Sequence, residues 1–151
     1  MKRTAWTNLI YWRFLLVGML LWSYPAVAVE LRPVKVVTGT KGLVPIPVRI
    51  SNTGAKPLSC TAQLAHWYSS IVAIASPGAE AQIDLWFEPA SGAYLILNGK
   101  QENMPVEDIW CGIAGRAYET RATIELERSI GATVAARQID CAAVNDRLVC
   151  E

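Results

Sequence analysis

Histidine is almost absent from this chain, which has a single one, His66, in 151 residues. Nucleophilic catalysis usually depends on a histidine beside a serine or cysteine, so a catalytic triad would have to use His66. Ser69 and Ser70 are the nearby candidate nucleophiles, but no G-x-S-x-G turn surrounds them. The sequence therefore predicts no catalytic residue and favours a protein that is not an enzyme.

The patterns that hold metals and phosphates are missing as well. A type-1 copper site needs two histidines, and neither C-x-x-C nor H-x-x-x-H occurs. Met104 is the one further ligand that could accompany His66. Residues 112–115 (GIAG) lack the lysine and the spacing of a phosphate-binding loop. We therefore expect no metal and no cofactor.

A strongly basic stretch is also lacking. Of the 14 basic residues, Lys2, Arg3 and Arg13 precede residue 29, so 11 remain beside 13 acidic residues in the rest of the chain. That part carries a net charge of about −2. A nucleic-acid-binding face needs a basic patch that neutralises phosphates. Nucleic acid is therefore not an expected partner.

The first 28 residues have the order of a secretory signal peptide. A basic start is followed by an apolar run from Phe14 to Trp22, and Pro25 to Ala28 places small residues at the positions that a signal peptidase reads. The run is too short to cross the ~30 Å hydrocarbon core of a bilayer. The alternative is an uncleaved anchor of residues 6–24, which would be the only membrane contact. Either way, we expect one exported domain, residues 29–151, in the periplasm or secreted.

All four cysteines lie in the exported part, at Cys60, Cys111, Cys141 and Cys150. An even number of cysteines in an oxidising compartment indicates two disulfides, for which three pairings are possible. Cys60 lies on the inward face of a predicted strand, where an inter-sheet disulfide would sit, and the last two cysteines flank a short turn. We therefore predict the pairs Cys60–Cys111 and Cys141–Cys150.

Alternating apolar and polar residues predict a series of strands. The clearest alternation runs from Leu43 to Ser51, and Leu58 to Leu64 and Ala79 to Phe87 repeat it. Asn98-Gly99 predicts a type I′ hairpin turn. Further strand candidates are Leu31 to Val37, Tyr94 to Leu97, Arg116 to Arg128, and a closing hairpin of Ala132 to Cys141 with Arg147 to Cys150.

Residues 103–112 break the β rhythm. Pro105 suits the first position of a helix, Glu107 and Asp108 suit its first turn, and Gly112 suits its end. The pattern predicts one short helical turn. A helix N-terminus explains Glu107 and Asp108 better than a catalytic pair of carboxylates does, because adjacent side chains point apart.

Many short strands separated by turns predict an all-β protein, a small antiparallel β-sandwich stapled by disulfides. With an inward Cys60, a later Cys111 and tryptophans between them, the chain resembles an immunoglobulin-like domain. It departs from that family at Trp110, which stands beside the second cysteine where a tyrosine two residues earlier is expected. Cys111 also falls in a predicted turn. The resemblance implies an architecture and no function.

The aromatic residues are the one feature that could carry recognition. The alternation places Trp67 and Trp86 on the outward face, where with His66 and Tyr68 they would form a patch that anchors a protein or a sugar ring. The alternative is that they pack beneath a loop, since large aromatic side chains are mostly buried. Trp110 is expected to pack on the neighbouring disulfide.

Two functions follow as hypotheses. The first is a non-enzymatic accessory or binding domain that contacts another envelope protein. The alternative is a small-ligand-binding protein or hydrolase with a pocket around His66.

We predict that the exported protein begins at Val29, because the small-x-small pattern ends at Ala28. Mass spectrometry of the protein purified from its native cells should give the mass of residues 29–151. An intact N-terminus in the membrane fraction would establish the anchored form instead.

Overall fold

The computed structural model describes residues 36–65 and 68–151, which are all-β with no helix. The strands of this part are β1 (Val44–Asn52), β2 (Leu58–Leu64), β3 (Tyr68–Ala75), β4 (Glu80–Glu88), β5 (Ala93–Leu97), β6 (Asn103–Ile113), β7 (Ala122–Thr123), β8 (Arg137–Val144) and β9 (Arg147–Cys150). The predicted signal peptide and residues 31–35 of the predicted first strand lie outside the described residues. Val36 and Val37 are not in a strand, although Val37 O accepts a hydrogen bond from Asn103 N at 2.9 Å.

The strands form one hydrogen-bonded sheet in the order β3-β2-β6-β5-β4-β1-β8-β9, with β7 paired to β6. Every neighbouring pair is antiparallel except β1 and β8, which run parallel. The sheet is therefore mixed, and the prediction of a purely antiparallel arrangement is wrong for this pair. Parallel neighbours need a long connection, and most of the described chain separates β1 from β8.

The alternation in three predicted strands is confirmed as β1, β2 and β4, within one residue at each end. Their inward side chains form about half of the buried core. These residues are Ile46, Val48 and Ile50 in β1, Leu58, Cys60, Ala62 and Leu64 in β2, and Ile83, Leu85 and Phe87 in β4. Burial of one face thus decides which way each strand presents its side chains.

The helical turn predicted for residues 103–112 is wrong, because these residues form β6. Its first half, Asn103–Val106, pairs with β5, and its second half, Val106–Ile113, pairs with β2. Pairing buries Val106 and Ile109 in the core. Long-range pairing of this kind outweighs the weak preference of a two-turn helix.

The long strand predicted from Arg116 to Arg128 is also wrong, since only Ala122–Thr123 is extended and paired, as β7. The preceding loop folds back over β6. There Thr120 Oγ1 accepts a hydrogen bond from Ile113 N and donates one to Arg116 O. The loop approaches so closely that a Cβ atom on Gly112 would collide with Ala117 O.

Both predicted hairpins form. The hairpin at Asn98-Gly99 does not use a type I′ turn: Asn98 Oδ1 accepts hydrogen bonds from the N–H groups of Lys100 and Glu102, and Gln101 takes the positive φ, 62°. The closing hairpin, β8–β9, forms with a first strand that begins at Arg137 and ends at Val144, not at the predicted Ala132 and Cys141. Its two-residue loop, Asn145 and Asp146, has φ values of 48° and 59°. Those angles are typical of a type I′ turn.

The predicted disulfides, Cys60–Cys111 and Cys141–Cys150, are confirmed, and no cysteine is free. Cys60 and Cys111 are register partners in β2 and β6, so this bond joins neighbouring strands. It is not the inter-sheet bond that we expected, because Cys111 lies within a strand and not in a turn. The two disulfides indicate an oxidising environment outside the cytoplasm.

Asn52, at the end of β1, holds the connection between β3 and β4. Its side chain is 1% exposed, and Nδ2 donates to Lys56 O at 2.9 Å and to Ala75 O at 3.0 Å, while Oδ1 accepts from Gly54 N. Its backbone N–H donates to Ala79 O. One buried residue therefore ties the last residue of β3 to the residue just before β4.

We expect the two disulfides to differ in their effect on stability. They close segments with sequence separations of 51 and 9 residues. In the chain-entropy model, removing Cys60 and Cys111 by double alanine substitution lowers the free energy of unfolding by about 4 kcal/mol, and the same change at Cys141 and Cys150 by about 2.5 kcal/mol. Urea unfolding of the two variants measures this difference; equal losses would contradict it.

We also expect Asn52→Asp to destabilise the protein. Aspartate keeps the shape and the acceptor, but it cannot donate to Lys56 O and Ala75 O, so the free energy of unfolding should fall by about 2–3 kcal/mol. Asn145→Asp, in the exposed β8–β9 loop, is the matched control and should change it by less than about 0.5 kcal/mol. Urea unfolding compares the two, and a neutral Asn52→Asp would show that these hydrogen bonds contribute little.

Candidate functional site

A cleft of about 980 Å³ lies between β3 and β4. The two strands follow each other in the chain and are linked by residues 76–79 alone, but they do not pair. The parts of the two strands that line the cleft, Tyr68–Val72 of β3 and Gln82–Trp86 of β4, lie away from the link and from Asn52. The hairpin of β5 and β6 closes its far side, through Ile96, Leu97 and Met104 among others.

Two of the predicted aromatic residues line the mouth of this cleft, Tyr68 at the start of β3 and Trp86 near the end of β4. Tyr68 is 57% exposed and Trp86 is half-buried. The structure thus brings together two side chains that are 18 positions apart in sequence. His66 and Trp67 lie outside the described residues.

Strand edges without partners border the cleft on both sides. In the described part of the chain, β3 pairs only with β2. β4 pairs with β1 from Glu80 to Phe87, but with β5 only from Trp86 to Glu88, so Gln82–Leu85 have a ladder on one edge alone. Ser70–Val72 and Gln82–Leu85 both belong to the cleft lining. Such edges present backbone N–H and C=O groups that a further strand can bind.

The cleft is mainly apolar and has a single charge. Leu64, Ile83 and Leu85 contribute aliphatic surface, and Asp84 is the one charged residue in the described lining. Gln82 Nε2 donates a hydrogen bond to Asp84 Oδ1 at 2.6 Å. The ion pairs found in the described residues, Lys56–Asp146 and Arg116–Glu119, do not involve Asp84. The cleft therefore has a negative charge that a cationic group could neutralise.

The shifted pKa values belong to groups outside this cleft. Burial raises the pKa of the Tyr94 hydroxyl, and the nearby Arg128 opposes that rise. The hydrogen bond from Lys56 lowers the pKa of Asp146, and hydrogen bonds from Ser129 lower that of Glu127. These shifts accompany structural contacts, so they do not mark a second site.

The residues considered for chemistry do not converge. Ser69 and Ser70 are consecutive in β3, and Met104 lines the cleft on the opposite hairpin. Glu107 Oε2 accepts a hydrogen bond from Gln63 Nε2, whereas Asp108 Oδ1 accepts one from Ile109 N. No group of three or more potential metal ligands occurs among the described residues.

Sequence reasoning missed β3, which is one wall of the cleft. Its segment, YSSIVAIA, has the β-branched residues Ile71, Val72 and Ile74 between serines and a Pro-Gly turn. That composition is a strand signal. A bulge at Val72 interrupts the period of two and hides the alternation.

Trp110 lies on the outer face of β6 and not on the disulfide. Adjacent residues of a strand point to opposite faces, so Trp110 and the buried Cys111 face opposite ways. The Trp110 ring is 9% exposed and meets the ring of Tyr118 edge-on at 6.1 Å, while the Arg121 guanidinium lies 4.0 Å from the Tyr118 centroid. This stack holds the 114–121 loop against the sheet.

In residues 36–65 and 68–151, no helix is long and apolar enough to cross a membrane. No protein-family model, no curated protein and no solved structure matches the chain.

Proposed function

We propose that the protein is an exported, non-enzymatic binding domain that contacts another envelope protein through the β3–β4 cleft. One observation carries this proposal: two strands that are consecutive in the chain leave their facing edges unpaired beside an apolar cleft with Tyr68 and Trp86 at its mouth. Partly exposed aromatic side chains beside a groove are typical anchors of protein contacts.

The proposal includes export through the signal peptide of residues 1–28 and residence in the periplasm. The two disulfides support a location outside the cytoplasm. It also includes an immunoglobulin-like arrangement in two layers, with β3, β2 and the second half of β6 in one layer and β5, β4, β1, β8 and β9 in the other. The divided pairing of β6 supports this division.

The alternative, a small-ligand-binding protein or hydrolase around His66, makes different demands on the site. Small-molecule pockets are concave and bring a few polar groups together at the ligand. The polar groups of the described lining are spread over two strands and a turn along an open groove: Tyr68 and Ser70 in β3, Gln82, Asp84 and the Trp86 indole in β4, and Asn98 and Gln101 after β5. An open groove with strand edges fits a polypeptide better than a small molecule.

Photo-crosslinking in the native cells tests the proposal. A photoreactive residue in place of Ser70, within the cleft lining, should give a discrete protein adduct, whereas the same residue in place of the exposed Asp140 on β8 should not. Trp86→Ala and Tyr68→Ala should each reduce the adduct about tenfold, as expected for aromatic anchors of an interface. Urea unfolding of both variants provides the folding control.

His66→Ala separates the two functions. If the protein works by contact through the cleft, this change leaves function largely intact, because no partner residue for catalysis is visible in the sequence around His66. A loss of function of roughly a hundredfold with unchanged folding would favour the pocket around His66.

In the crosslinking experiment, adducts of equal yield from Ser70 and Asp140, or adducts unaffected by Trp86→Ala, would contradict the proposed contact.

A further inference from the structure

The free edges of β3 and β4 have an unusual relation to each other. Strands that are consecutive and joined by a short link commonly pair side by side. Here the link of residues 76–79 is short, yet Asn52 occupies the position between the ends of both strands and hydrogen-bonds to Ala75 O and Ala79 O. Asn52 therefore satisfies the backbone carbonyls at the two strand ends, and beyond it the facing edges of β3 and β4 do not pair.

We propose that the space between them receives an extended strand of the partner protein, which pairs with β3 and β4 and carries a basic residue at Asp84. This inference rests on the proposed function, since it identifies the part of the partner that enters the cleft. The partner strand completes the two ladders that end at β3 and β4, by the β-strand addition that exposed edges permit.

The dimensions of β structure suit one inserted strand. Paired strands lie ~4.8 Å apart in the hydrogen-bonding direction, so a strand that pairs on both sides needs facing edges about 10 Å apart. The edges of β3 and β4 both line the cleft of about 980 Å³, which has room for one extended strand. Because β3 and β4 run in opposite directions, the inserted strand is parallel to one and antiparallel to the other. The sheet already contains such a mixed junction, where β1 lies between antiparallel β4 and parallel β8.

The two faces of the inserted strand meet different surroundings. Side chains that point inward reach Leu64, Ile83 and Leu85, which are buried aliphatic residues of the lining. Side chains that point outward lie beside Asp84 and Trp86, which alternate with those residues in β4. Because strand side chains alternate, the occupant has aliphatic residues at every second position and a lysine or arginine between two of them.

Charge and geometry favour a partner strand over a second copy of this chain. A second copy offers two edge strands, β3 and β9. β3 contains no basic residue to pair with Asp84, and β9, which begins with Arg147, has only four residues and already donates a hydrogen bond from Leu148 N to Thr120 O. β3 is also hydrogen-bonded to β2, so it cannot leave its sheet to enter the cleft of another molecule. Edge-to-edge pairing of two β3 strands would leave the edge of β4 empty.

A displayed library of random heptapeptides tests this inference on the purified full-length protein. Selection should enrich peptides that alternate aliphatic and polar residues and have one lysine or arginine at a polar position. One selected peptide, made synthetically, should slow amide hydrogen exchange about tenfold or more in both Ser70–Val72 and Gln82–Leu85. Asp84→Asn should weaken its binding about threefold to fivefold, and Asp140→Asn, a distant exposed carboxylate, should not.

Each other outcome overturns the inference in a recognisable way. If no peptide is selected, or if a selected peptide protects other segments, strand insertion is wrong. If the peptide binds Asp84→Asn as tightly as it binds the unaltered protein, the proposed basic residue opposite Asp84 is wrong. Concentration-dependent protection of β3 alone, with a dimer in sedimentation equilibrium, identifies a second copy as the occupant. These results are independent of the crosslinking experiment. If the Ser70 adduct forms and is lost with Trp86→Ala, the proposed function stands, and the partner binds through a folded surface and not through an extended strand.

Discussion

The pairing of β6 with two different neighbours is the interaction on which the rest of the structure depends. In the described sheet, β2 and β3 connect to the remaining strands only through β6, whose second half pairs with β2 and whose first half pairs with β5. The Cys60–Cys111 bond crosses the β2–β6 ladder at the third of its seven register pairs. Without this ladder, β3 would be connected to β4 only through the link of residues 76–79 and Asn52, and the two walls of the cleft would lose their common support.

Hydrogen-bond accounting explains why the divergence of β3 and β4 is tolerated. Buried backbone groups need partners, whereas exposed strand edges find them in water or in another chain. At the link between the two strands, the buried Asn52 supplies the partners for Ala75 O and Ala79 O. At the start of β3, Tyr68 is largely exposed and solvent reaches the edge of β3. The buried backbone carbonyls at the link are thus hydrogen-bonded within the protein, whereas the exposed edge of β3 is left for water or another chain.

The sequence predicted the parts of the fold that depend on local pattern. Burial of every second residue marked β1, β2 and β4, and a short loop marked the Cys141–Cys150 clip. It failed where distant residues decide: β6 was taken for a helical turn, and the 114–121 loop was taken for a strand, because their partners lie far away in sequence. At the site, Tyr68 and Trp86 were predicted as neighbours of one patch, but Asp84 and the edge of β3 were not.

The composition of the two outermost strands gives an independent reason to expect an occupant beside β3. Proteins protect exposed edges with charges, prolines, short strands or covering loops. β9 is short, begins with Arg147 and is met by Thr120 O, which accepts a hydrogen bond from Leu148 N. β3 is twice as long, lacks both charge and proline, and exposes Ile71 and Ile74. An edge of this composition favours aggregation unless another segment covers it. The length, the lack of charge and the exposed isoleucines of β3 are therefore the features expected of a strand that a partner covers.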